Sequence, residues 1–232
     1  MTKRVIVGVG GGGVGLEPQH RCLDDYLLSL VDKTKPCICF LPTASGDSPG
    51  YIERFYTAFS ADRADTSHLS LFGHDGRDLR QFLLSQDIIY VGGGNVMNML
   101  AVWRVHELDK ILREAYEKGI VLCGVSAGML CWFEAVVTDS YGPQLEGRID
   151  GLGLLKGSAC PHYDGEVLRR PRYHELIGGG FPAGLAADDD VALCFVDEGL
   201  HEVVTSRVGA GAYKVCLREG RVVEEEIEAR LL

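Results

Sequence analysis

Ser126 lies in Gly124-Val125-Ser126-Ala127-Gly128, a G-x-S-x-G pattern in which a serine occupies a sharp turn between a strand and a helix. Gly124 and Gly128 remove the Cβ atoms that would collide as the two elements close on each other. The amide that follows stands at a helix N-terminus, where free N–H groups and the helix dipole favour developing negative charge. Taken alone the pattern recurs by chance, and a purely structural Gly-Ser turn is an equal reading. A serine nucleophile needs a base, and the base needs an orienting acid. Among seven histidines, His162 in Cys160-Pro161-His162-Tyr163-Asp164 follows a short apolar segment and a proline that stiffens its approach, and it is the expected base. His20, His106 and His201 sit in polar contexts, His68 and His74 flank a strand away from the expected edge, and His174 is expected on the surface of an arginine-rich helix. For the acid, Asp188-Asp189-Asp190 place three carboxylates between Gly184 to Ala187 and the apolar Val191 to Leu193. Such crowding disfavours ionisation unless something compensates it, although a solvated turn would also accommodate each residue.

These residues require elements to position them. Ile120 to Leu122 read as the strand that delivers Ser126, and Met129 to Phe133 have the composition of a buried helix after it. Arg4 to Val9, Pro36 to Leu41, His68 to Phe72 and Asp87 to Val91 read as earlier strands, the last buried on both faces. Helices are expected at about 19–33, 96–102 and 106–118, the last stopped by Gly119, and Tyr51, Phe55 and Phe59 form a packing stripe at helical spacing. Alternation of strand and helix implies a doubly wound, mostly parallel α/β sheet with sites beyond the strand carboxyl ends. Short strands at about 191–197, 201–205, 211–217 and 221–227 are spaced for antiparallel hairpins on one side of that sheet.

Two glycine clusters fall at the functional edge. Gly8, Gly10 and Gly13 satisfy G-x-G-x-x-G, but the second strand ends in Pro42-Thr43-Ala44-Ser45 with no carboxylate to hold a ribose. The expected reading is a loop that lets other backbone approach closely. Gly92-Gly93-Gly94-Asn95 follows a buried strand; it is either a tight turn or a set of amides exposed beside Ser126.

The chain has 232 residues, 46% of them hydrophobic and 24% charged, ordinary values for one globular α/β domain spanning 1–232. A net charge of -10 argues against nucleic acid or an anionic membrane as partner. No apolar stretch reaches the length of a membrane span and no signal-peptide core is seen, so a cytoplasmic location is expected. Eight cysteines fall singly in apolar segments without a C-x-x-C pair, which fits reduced core residues; neither a metal nor a cofactor is expected.

The VGGGN turn (Val91 to Asn95), the GVSAG elbow, Pro161-His162-Tyr163 and the P-A-G-L-A-A-D-D-D stretch ending at Asp190 resemble, in that order and over nearly the whole length, the peptidase E (aspartyl dipeptidase) and cyanophycinase family. The resemblance implies a class I glutamine amidotransferase-like fold, Ser126 as nucleophile, His162 as base, an oxyanion hole from the amides of Gly93 or Gly94 and Ala127, and a short peptide as substrate. It also places Asn95 among the substrate-binding residues. The Pro-Glu-Gly-Asn acid motif of peptidase E is missing, and the cyanophycinase-like pattern puts Asp189 in the third role, with Asp188 and Asp139 as alternatives. Arg169, in Arg169-Arg170-Pro171-Arg172, is the nearest match to the arginine that reads an N-terminal aspartate. Rival readings are thiol-based amidotransferase chemistry at Cys123 and a catalytically silent binding module; self-association into a homodimer is left open.

Overall fold

A computed structural model of the chain describes residues 3–13, 21–73 and 76–232. His20, His74 and the start of the first expected helix lie outside the described residues. Strands β1 (Val5–Val9), β2 (Cys37–Leu41), β3 (Asp65–His68), β4 (Ile88–Val91) and β5 (Val121–Val125) alternate with helices α1 (Arg21–Ser29), α2 (Pro49–Ala58), α3 (Leu79–Leu84), α4 (Val96–Val105) and α5 (Leu108–Glu117). The five strands are parallel in the order β1-β5-β4-β2-β3. Every residue of β1, β4 and β5 is buried, as a parallel sheet covered on both faces requires. One face is covered by Leu23 and Leu27 of α1, Phe55 of α2 and the adjoining Phe59. The other receives Leu100 and Trp103 of α4 and Leu108 and Leu112 of α5. The aromatic stripe is a packing stripe: Phe55 stacks on Phe40 with ring centroids 4.7 Å apart.

The third strand begins earlier than expected and ends at His68. Its residues are only partly buried because it is an edge strand, so it carries no apolar run, while the following Leu69 and Leu71 enter the core without being strand.

The helix expected over Met129 to Phe133 is a single turn, α6 (Ala127–Leu130), and Phe133 opens strand β6 (Phe133–Thr138). A continuous apolar run does not distinguish the two elements by periodicity. The chain continues through β7 (Glu146–Arg148), β8 (Leu155–Cys160), α7 (Arg169–Gly178), β9 (Gly184–Ala187), β10 (Val191–Val196), β11 (Gly199–Thr205), β12 (Ala212–Arg218), β13 (Arg221–Ile227) and β14 (Arg230–Leu231). The C-terminal strands do not share one side of one sheet, as expected from their spacing. β10 pairs antiparallel with β1 and, with β11 and β14, extends the first sheet to eight strands. β12 and β13 belong instead to a second sheet of six, ordered β13-β12-β9-β8-β6-β7. Phe133 of β6 meets Phe195 of β10 edge-on at 5.7 Å, and one hydrophobic cluster contains residues of both sheets. The chain therefore passes from the second sheet to the first between β9 and β10, and that crossing is made by Asp188, Asp189 and Asp190.

Candidate active site

Ser126 follows β5 directly, with φ 56° and ψ -111°, a strained backbone for a residue with a side chain. Its amide donates to the Val9 carbonyl at 3.0 Å and its carbonyl accepts from Met129 and Leu130 at 2.9 Å, so both sides of the turn are fixed. A Cβ on Gly124 would lie 2.8 Å from the Gly128 Cα, and one on Gly128 would lie 2.9 Å from the Val91 Cβ. The elbow closes only because both positions are glycine.

His162 stands two residues beyond β8, at φ 53°, with its amide donating to the Gly10 carbonyl at 3.1 Å. Its Nε2 is 2.9 Å from Ser126 Oγ and its Nδ1 is 2.7 Å from Asp189 Oδ1. The three side chains come from the ends of β5, β8 and β9. Their order hydroxyl, imidazole, carboxylate is the relay in which a base removes the serine proton while an acid orients the ring.

The aspartate run divides its work. The bond from His162 holds the half-buried Asp189 carboxyl below the usual carboxylate range, against the opposing effect of burial. Its amide donates to Asp164 Oδ1 at 2.9 Å, and its carbonyl accepts from Arg207 Nη2 at 3.0 Å. Asp188 is buried and accepts from the Gly211 amide at 2.9 Å; burial pushes its carboxyl up. Asp190 reaches Arg207 Nε at 3.4 Å. Asp139 is exposed in the loop after β6. Of the three acids proposed from sequence, Asp189 is the one within hydrogen-bond distance of His162.

On the opposite side of Ser126, a Cβ on Gly93 would sit 3.4 Å from Ser126 Cβ and 3.8 Å from its Oγ. The Gly93 amide donates to the Tyr51 hydroxyl at 3.2 Å. Among the described residues the amides of Gly94 and Ala127 have no hydrogen-bond partner, which leaves them available to a developing oxyanion. The Asn95 side chain is engaged at both ends: Oδ1 accepts from the Asn98 amide at 2.9 Å, capping α4, and Nδ2 donates to the Ser140 carbonyl at 3.0 Å. Arg169 is 4% exposed, with Nε on Glu166 at 2.7 Å and Nη1 on the Val137 carbonyl at 3.0 Å. These bonds tie the loop after His162 to the end of β6.

The family model for peptidase family S51 matches residues 6–203. The chain belongs to peptidase family S51. Within the family it is 50% identical, over 98% of both chains, to the "Uncharacterized peptidase YgaJ" of Bacillus subtilis (strain 168). It is 28% identical to the "Peptidase E" of Shewanella denitrificans over 65% of this chain and 63% of that one. Among solved structures, a peptidase from an acI-B1 Actinobacterium superposes with a TM-score of 0.74 at 18% identity, covering 97% of this chain and 94% of that one. A putative peptidase E protein from Listeria monocytogenes EGD-e gives 0.60 at 15% identity, covering 98% and 100%; both carry the fold. As an S51 member the chain is a serine-type peptidase.

Sequence reasoning missed several supports. His174 lies on α7 with its side chain 37% exposed, and it is also tied down: its Nε2 lies 2.7 Å from Glu224 Oε2 and 3.1 Å from the Tyr163 hydroxyl. Burial would raise Glu224, but bonds from Arg170, Tyr163 and His174 bring it down to about 2. Asp164 and Arg207 were readable only as surface charges, since their common partner Asp189 is distant in sequence. Cys123, the thiol alternative, is fully buried in β5 and its pKa is pushed well up by that burial, the opposite of what activates a thiolate. Among the described residues no helix is long and apolar enough to cross a membrane.

Proposed function

We propose that this S51 peptidase hydrolyses short peptides through an acyl-enzyme formed on Ser126, with His162 as general base and acid and Asp189 orienting it. The observation that carries the reading is the pair of contacts on one imidazole, 2.9 Å to Ser126 Oγ and 2.7 Å to Asp189 Oδ1. His162 Nε2 takes the proton as Oγ attacks the scissile carbonyl, and the oxyanion turns toward the amides of Gly94 and Ala127. Collapse breaks the C–N bond while His162 returns the proton to the leaving amine. Water, deprotonated by the same imidazole, then releases the acyl group and regenerates the serine. Short peptides are favoured by the resemblance to peptidase E. The buried, doubly engaged guanidinium of Arg169 supports a scaffold role for that residue, so aspartyl selectivity is not part of the proposal. A cytoplasmic location is, and eight unpaired thiols support it.

The test is labelling by a fluorophosphonate, with the modified residue located by mass spectrometry, beside a screen of dipeptides and blocked peptides. Modification of Ser126 together with cleavage of peptides is expected. A protein that folds but neither labels at Ser126 nor cleaves any peptide would be a silent member of the family.

A further inference from the structure

The glycine loop after β1, which resembles a dinucleotide fingerprint in sequence, is pressed against the catalytic side chains. The Gly10 carbonyl accepts from the His162 amide and the Gly11 carbonyl from the Asp190 amide, each at 3.1 Å. Consecutive carbonyls of one loop thus hold the backbone on both sides of the histidine–aspartate pair. Gly11 also covers the pair itself: a Cβ there would lie inside contact distance of Asp189 Oδ1, 2.7 Å from Asp189 Cγ and 2.5 Å from His162 Nδ1. From the other side, a Cβ on Gly165 would collide with Asp189 Oδ2 and lie 2.9 Å from Asp189 Cγ. Neither residue has a left-handed φ, unlike Gly12 at +76°. The constraint at 11 and 165 is thus one of space and not of backbone conformation: a Cβ at either position would have to displace the Asp189 carboxylate.

We infer that Gly11 and Gly165 are positioning residues that clamp the Asp189 carboxylate between two bare backbone segments and so fix it on His162 Nδ1. This rests on the triad proposed above. A carboxylate on two freely rotating bonds would swing away from the imidazole into water. Two walls without side chains stand close against both of its oxygens and restrict that swing. The clamp gives Gly11 a role that calls for no phosphate.

Labelling by a fluorophosphonate measures Ser126 reactivity without needing a peptide substrate. Gly11→Ala should slow it by about 10²-fold or more, the scale expected when a catalytic group is displaced by around 1 Å. The decisive comparison is Gly165→Ala, which should slow labelling similarly, combined with Asp189→Ala, because a methyl at 165 meets only Asp189 whereas one at 11 also meets His162 Nδ1. With the carboxylate removed the added methyl has room, so the double variant should label no more slowly than Asp189→Ala alone. The far-downfield proton resonance of the His162–Asp189 bond should be lost in Gly11→Ala while thermal unfolding remains cooperative. A merely structural glycine would lower the melting temperature and leave that resonance in place. If Gly11→Ala does not fold, the cycle at Gly165 and the same resonance measured in Gly165→Ala carry the test alone. Labelling of the single glycine variant within about twofold of wild type, or losses that multiply in the double variant, would overturn the clamp. Wild-type labelling by Asp189→Ala would instead remove the triad reading on which it stands.

Discussion

The glycine turns after β1 and β4 lie on opposite sides of Ser126 and use the same residue for different ends. In the first, Gly11 gives up its side chain so that two other side chains can come close. In the second, the glycines bring backbone to Ser126: Gly93 approaches Ser126 Oγ, Gly94 bends at φ 136°, and its amide is left unpartnered among the described residues. The lesson is that a glycine cluster at a sheet edge is not in itself a phosphate site. Its role depends on whether side chains or bare amides occupy the space the missing Cβ atoms leave.

Substitution at the hub between the two turns should have the largest effect. Ser126→Ala removes the proposed nucleophile and should lower hydrolysis of any peptide the wild type cleaves by about 10⁶-fold; His162→Ala should fall comparably, because members of a catalytic triad act as a unit. Circular dichroism should show both variants folded. Activity within tenfold of wild type in either would dissolve the comparison, since neither turn would then flank a nucleophile.

On the first side, Asp189→Asn should cost about 10³–10⁴ in turnover by favouring the wrong imidazole tautomer. On the second, Gly94→Ala should cost about 10²–10³, the scale of a lost oxyanion donor. Its methyl would meet the Ala44 carbonyl and approach Ser45 N to 3.0 Å, and its φ suits glycine alone. Equal losses from Asp189→Asn and Asp188→Asn would break the division of the aspartate run. Tyr51→Phe should have a milder effect, about tenfold in kcat with KM nearly unchanged, because it frees the Gly93 amide from its hydroxyl partner and loosens the turn by roughly one hydrogen bond. A change confined to KM would show that Tyr51 touches substrate instead.

How much of this was legible in the sequence follows from what each feature depends on. The parallel half of the fold was readable because β4 and β5 are buried on both faces and give short continuous apolar runs ended by glycine. Ser126 and His162 carry local signals, an elbow pattern and a proline-stiffened approach. The second sheet was hidden, because the apolar run from Met129 to Phe133 passes for helix without marking where β6 begins, and β7 has three polar or glycine residues. The role of Gly11 was hidden for another reason: its neighbours, His162 and Asp189, are far along the chain, and only the return of β10 beside β1 brings them together. Three aspartates in succession are equally opaque, since they fall at a turn between strands, with Asp190 at φ 67°, and nothing local says which one meets the histidine.

The smallest effect on activity should separate Asp188 from its neighbour. Asp188 is 3% exposed, its Oδ2 accepts from the Gly211 amide and, at 3.5 Å, the Tyr213 hydroxyl, and its Oδ1 has no hydrogen-bond partner among the described residues. Burial raises its carboxyl above the ordinary value in the folded protein. A folded pKa above the unfolded one means that the native state holds the proton more tightly, so this group's contribution to stability is greatest in acid and declines as pH rises from the ordinary carboxylate value through the raised one. Asparagine has nearly the same shape, keeps an acceptor for Gly211 and carries no charge to bury. Asp188→Asn should therefore leave turnover within about twofold of wild type. At neutral pH it should raise the melting temperature by roughly 2 °C, the response of a protein this size to somewhat under 1 kcal/mol. The gain should shrink as the pH falls through the raised value, where the native carboxyl takes up its proton. Asp189, held down by His162, should show the reverse order, losing activity on amidation with no gain in stability at neutral pH. A loss of turnover in Asp188→Asn comparable to that in Asp189→Asn, or a fall in its melting temperature at neutral pH, would mean that the two carboxylates share one task.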